Sequence, residues 1–259
     1  MRIAKIVCLS LVASSFALLS AAHGQQAMFV ASRATVPIII TRDVSAKTAR
    51  PGDLVYAKTS QRSQLPNGVV VPSGTRVLGH VISTSGPVQR RKLVYDDVAP
   101  VSSLTIRFDS LELAHEQLPI TAYVRAMADP FESESARMSQ PSDIDPQSTT
   151  TQIGGDLLTP SQRDIVDQDG HVVGHNLRHG AYARLRHNGS CLGTDVEVSV
   201  GIYSGSACGL YGFTEVRATG VGTLQSRDIT LSSSMTTARI WRDSTALLEL
   251  VNGAGQFRE

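Results

Sequence analysis

The chain is 259 residues long and nearly balanced in charge, with 24 Lys and Arg against 23 Asp and Glu. No extended block of like charge occurs, which excludes the electrostatic footprint of a nucleic-acid binder or of a protein drawn to anionic lipid. The short cluster Arg90-Arg91-Lys92, after Gly86-Pro87, reads as a solvated hairpin tip.

At the start of the chain, Arg2 and Lys5 precede an uncharged, mostly apolar run over residues 6–19. The small-residue stretch Ser20-Ala21-Ala22-His23-Gly24 follows. That order predicts a secretory signal peptide over residues 1–24, cleaved after Gly24 or Ala22. The apolar run is short for a bilayer-spanning helix, which needs about 20 residues. No later segment is apolar enough to span a membrane as a helix, so no transmembrane segment is expected after leader cleavage. Cys8 lies inside the leader, and export leaves two cysteines, Cys191 and Cys208. An even pair in an oxidising compartment predicts one disulfide. Closing a loop of that length contributes roughly 3 kcal/mol, mainly by restricting the unfolded chain.

From residue 27 to 128 short β-type runs alternate with turn signals, predicting a small barrel or sandwich. Residues 36–41 are rich in β-branched side chains, and Pro37 suggests an edge position. A short helix is a candidate over 44–49. Strands follow at 54–59, 68–71 and 75–83, the last two separated by the turn Pro72-Ser73-Gly74. Leu104, Ile106 and Phe108 alternate with Thr105, Arg107 and Asp109, the pattern of a half-buried strand. Another strand is expected at 118–127.

Residues 129–160 are dominated by Ser, Thr, Pro, Gln and acids without a hydrophobic period, and read as a disordered linker. From 161 to 259 the β pattern returns, predicting a second β-rich, sandwich-like domain, or a second sheet of the same domain, since length alone does not decide. Asp169-Gly170 marks a hairpin between runs at 164–166 and 171–173. Strands are expected at 181–185, 196–203, 212–218, 227–231, 237–241 and 246–251. The fold class is therefore all-β throughout.

The stretch Leu65-Pro66-Asn67-Gly68-Val69-Val70-Val71-Pro72-Ser73-Gly74-Thr75-Arg76-Val77-Leu78-Gly79-His80-Val81 resembles a segment of the TrbI-type proteins. These belong to the outer-membrane core complex of conjugation and type IV secretion machines, and the resemblance spans about residues 35–128. It implies a β-barrel domain with a scaffold role and no catalytic residues. That family's inner-membrane anchor and proline-rich spacer are not visible in this sequence. Uncharacterised exported bacterial β-proteins with this layout often share an Ala-Cys-Gly-x-Tyr-Gly element, here Ala207-Cys208-Gly209-Leu210-Tyr211-Gly212.

Chemistry-bearing patterns are sparse. His171, His175, His179 and His187 lie close in sequence, and imidazoles suit Zn, Cu and Ni. They are weak metal candidates, because Gly170, Gly174 and Gly180 break any helix that would align them. No H-E-x-x-H, G-x-S-x-G or phosphate-loop pattern occurs. Tyr203, Tyr211, Phe213 and Trp241 read as core aromatics. The sequence thus predicts a non-catalytic structural or interaction module of the periplasm or cell envelope, without a cofactor. Its partners would be other envelope proteins or further copies of itself, and not nucleic acid. The alternative is a metal- or small-ligand-binding protein using region 171–187.

Overall fold

Alternating apolar and polar side chains, cut every few positions by turn residues, build the fold strand by strand. The computed structural model describes residues 33–65, 67–86, 102–138, 150–155, 157–161, 164–167, 169–177 and 180–251. The expected signal peptide and the Arg90-Arg91-Lys92 tip lie outside them. The first strands are β1 (Arg33–Ile40), β2 (Val44–Ser45), β3 (Leu54–Thr59), β4 (Ser63–Gln64), β5 (Val70–Val71) and β6 (Arg76–Ser85). After them come β7 (Ser102–Leu113), β8 (Glu116–Pro119), β9 (Ala122–Ala128) and the helix α1 (Pro130–Ser135). Next are β10 (Thr150–Thr151), β11 (Leu157–Ser161), β12 (Asp164–Val166), β13 (Val172–Leu177), β14 (Gly180–Arg184) and β15 (Glu197–Ser199). The chain closes with β16 (Gly209–Tyr211), β17 (Arg217–Thr219), β18 (Ile229–Ser233), β19 (Arg239–Ile240) and β20 (Thr245–Val251).

The main sheet runs in the order β16-β9-β20-β1-β3-β6-β7-β18-β17, with β8 added beside β7. Its two ends approach each other, giving a nearly closed, barrel-like sheet. Inward-facing side chains fill it: Val36, Ile38 and Ile40 from β1, Val55 and Ala57 from β3, Leu104, Ile106 and Phe108 from β7, and Ile229 and Leu231 from β18. A second sheet joins β10 to β15 in simple chain order.

β20 reads Thr-Ala-Leu-Leu-Glu-Leu-Val with six consecutive buried residues, because both its faces are covered. The inner face meets the barrel core. On the other side, Leu247 packs with Ala126, Ala128, Ile153, Tyr203 and Ala207 in a second apolar cluster. Pairing is antiparallel almost everywhere, the exception within the main sheet being β16 alongside β9.

The sequence leaves open whether the two halves are separate domains or sheets of one, and the strand pairing bears on that choice. β20 lies between β1 and β9, and β18 pairs with β7, so strands from beyond residue 160 complete the sheet begun before residue 128. Residues 31–259 form one unit. The stretch 129–160 is not a linker throughout. Asp129 caps α1 by accepting a hydrogen bond from the Glu132 N–H at 2.8 Å, and Pro130 opens the helix. β10 and all of β11 but Ser161 also fall within this stretch, and only 139–149 and 156 lie outside the described residues.

The helix expected at 44–49 is instead β2, which pairs with β19, followed by a turn closed by the Ala49 N–H on the Ser45 carbonyl at 2.8 Å. Pairing with Arg239 and Ile240 holds Val44 and Ser45 extended. β1 is an interior strand, contrary to the edge position suggested by Pro37. The Pro37 carbonyl accepts from the Ser60 N–H at 2.9 Å, on the β3 side, and the Pro37 nitrogen shares that orientation. The missing N–H therefore costs the β1–β20 ladder nothing.

Candidate functional site

An arginine in the middle of an apolar strand organises the molecule. β9 and β20 change register between Leu247 and Leu248, which face Ala126 and Val124, so Arg125 is the extra residue of a β-bulge. A bulge re-aims its side chain. Arg125 is fully buried, and its guanidinium donates to four backbone carbonyls: Ala207 at 2.9 Å, Leu192 at 2.7 Å, Arg186 at 2.7 Å and Gly205 at 3.4 Å. The Glu249 carboxylate, 2% exposed in β20, completes the set at 3.3 Å. Burial lowers the Arg125 pKa from its ordinary value and raises that of Glu249, against their mutual attraction.

Three of those carbonyls, Leu192, Gly205 and Ala207, come from the loop that Cys191 and Cys208 staple, and Arg186 lies just before it. The two sulfurs form a disulfide with Cα atoms 5.9 Å apart, pairing the cysteines as the sequence predicts. Gly222 packs against it: φ is +73° there, and a Cβ would lie 2.7 Å from both sulfurs. Its N–H donates to the Val124 carbonyl at 2.8 Å, next to Arg125. Bulge, arginine and disulfide thus form one structural hub.

The candidate histidines do not converge among the described residues. His175 is held through both ring nitrogens, 2.9 Å from Asp164 and 2.9 Å from Glu197. His187 is exposed, and His179 lies outside the described residues. His171 groups with Asp167 and Asp169 at the β12–β13 turn, their ligand atoms within 4.8 Å of one another. Asp167 already accepts backbone N–H groups from Asp169 at 3.0 Å and His171 at 2.9 Å. The His171 backbone bond is the main reason its pKa is lowered.

Of the aromatic residues, Tyr203 is buried, its hydroxyl 2.8 Å from that of Thr245, and burial raises its pKa. The Tyr211 hydroxyl accepts from the Cys208 N–H at 2.9 Å. Trp241 departs from the core reading: it is 46% exposed, with the Arg239 guanidinium 3.6 Å above its ring.

Two abutting clefts open over β1, β3 and their neighbours. The first, about 350 Å³, is lined by residues that include Lys58, Ser60, Gln61, Arg137, Arg242 and Asp243. The second, about 440 Å³, is lined by Thr41, Arg42, Tyr56, Ala57, Lys58, Gly74 and Arg76. Thr41 and Lys58 belong to both. Along β3, Val55, Ala57 and Thr59 point inward, which leaves Tyr56 and Lys58 on the outer face. The Arg42 guanidinium sits 4.4 Å from the centre of the Tyr56 ring.

These clefts escaped sequence reasoning because their cations are spread from residue 42 to residue 242 and form no run. Arg125 did leave a signal, a lone charge inside Ala122-Tyr123-Val124-Arg125-Ala126-Met127-Ala128. No helix among the described residues is long and apolar enough to cross a membrane. Comparison with models of known families, with curated proteins and with solved structures finds no match to this chain.

Proposed function

We propose that this chain is an exported module of the periplasm or cell envelope that works by binding other envelope components, not by catalysis. The disulfide supports the reading most directly. It is seated on the Arg125 hub, with Cys191 buried, and such bonds persist in oxidising compartments. The resemblance of residues 65–81 to TrbI-type proteins suggests a setting, a scaffold of an outer-membrane complex. The turn Pro72-Ser73-Gly74 that carries the resemblance is formed, with Gly74 at φ +82°.

The test is fractionation of the native host followed by sizing in mild detergent and thiol titration without reductant. The expected result is an envelope fraction running well above the 27.7 kDa of one chain, with no free thiol from Cys191 or Cys208. A cytosolic protein with both thiols free would overturn the proposal.

The grouping of His171 with Asp167 and Asp169 favours a second reading, a metal-binding protein. Titration calorimetry of untagged protein with zinc and manganese tests it. Binding should be lost on His171→Ala, and no heat with either metal would remove the reading.

A further inference from the structure

We propose that the two abutting clefts form one anion-binding groove for a ligand carrying two or more oxyanion groups, phosphate or carboxylate. Among the described residues, five cations line it, Arg42, Lys58, Arg76, Arg137 and Arg242, against one acid, Asp243. The whole chain is balanced in charge, so this excess is a local product of the fold.

The pairing pattern adds a second argument. Lys58 stands directly opposite Arg76 across the β3–β6 ladder, and like charges in that position repel. Arg76 is offset by Glu112 at 2.7 Å, Arg137 by Glu134 at 3.3 Å and Arg242 by Asp243 at 3.6 Å. Lys58 has no ion-pair partner among the described residues, and it is the charged side chain that both clefts share. An oxyanion seated between the clefts would relieve that repulsion and bring Arg42 and Lys58 the counter-charge they lack. Guanidinium groups suit it, since their planar forks match phosphate and carboxylate oxygens in pairs. The two volumes lie in the range of small-ligand sites.

Titration calorimetry of the full chain at 50 mM salt with tripolyphosphate and with citrate is the experiment. At least one probe should bind once per chain, and monovalent acetate at least tenfold more weakly. Raising the salt to 500 mM should weaken binding strongly, as the screening length shortens. Lys58→Ala should lower affinity at least tenfold and the double variant Arg42→Ala/Lys58→Ala further, with unchanged melting temperatures because both side chains are exposed. Lys47→Ala, an exposed cation outside both clefts, should bind as the parent does. The proposal is overturned if neither probe binds, if Lys58→Ala retains parent affinity, or if Lys47→Ala loses as much as Lys58→Ala.

Discussion

At the scale of single residues the Arg125–Glu249 pair decides most. Removing one member of a buried pair leaves the other charge without compensation, which costs about 3–5 kcal/mol. Arg125→Met should lose that much in urea unfolding. The double variant Arg125→Met/Glu249→Leu should recover only part of it, because the carbonyls of Leu192, Arg186, Ala207 and Gly205 would still lack their donor. The pair also sets a pH dependence. Burial raises the Glu249 pKa above its ordinary 4.5, so at a pH between the unfolded and folded values the folded state binds more proton than the unfolded chain. That increment of stability is complete below 4.5 and is lost as pH climbs through the folded value. Glu249→Gln cannot titrate, so the stability of the parent relative to this variant should fall as pH rises from 4.5. Asp43 has the opposite sign: the Arg242 N–H, then Arg239, lower its pKa from 3.8. Its contribution is present above 3.8 and is lost as pH falls below. Urea unfolding of both proteins across pH 3 to 8 separates the two effects. Arg125 could be flagged in the sequence as a misplaced charge, but its partners could not. Four of them are backbone carbonyls, and no side-chain pattern encodes those.

At the scale of elements, alternation and turn chemistry were legible and pairing was not. The strand at 54–59 and the Asp169-Gly170 hairpin between β12 and β13 follow directly from local pattern. The expected strand at 118–127 splits into β8 and β9, because Pro119 ends the first and Thr121 separates the second. Of the expected strand at 212–218 only Arg217 and Ala218 are strand, in β17; the rest is the loop after β16, where Gly212 has φ +75° and a Cβ would lie 2.5 Å from Asp129. α1 was announced by Asp129 and Pro130, yet composition masked these within a polar stretch. The β7–β8 hairpin turns on Ala114 and His115 at φ 49° and 72°, the left-handed backbone of a two-residue turn. Neither residue favours it. Ala114→Asn/His115→Gly should therefore raise stability by about 1 kcal/mol, read as a higher urea midpoint at unchanged slope. An unchanged or lower midpoint would show that the hairpin tip tolerates its present residues without cost.

At the scale of the molecule, the interleaving of strands is what local sequence could not reveal. Sheet neighbours such as β1 and β20 stand some 200 residues apart, and short strands carry no mark of which distant strand they join. The polar composition after residue 138 reads as a domain boundary, but composition does not say which strands pair across it. The topology instead makes the chain before and the chain after it one cooperative unit: β20 is a central strand, and neither fragment holds a complete barrel. A protease site placed between residues 139 and 149 tests this. After cleavage the two fragments should co-elute under native conditions and melt in a single calorimetric transition. Each fragment expressed alone should lack a cooperative melt. The disulfide joins residues on the same side of that cut, so reduction should not release the fragments from each other. It should lower stability by about 3 kcal/mol, since the staple restricts the unfolded chain. Two separate transitions, or a fragment that melts cooperatively alone, would return the chain to a two-domain description.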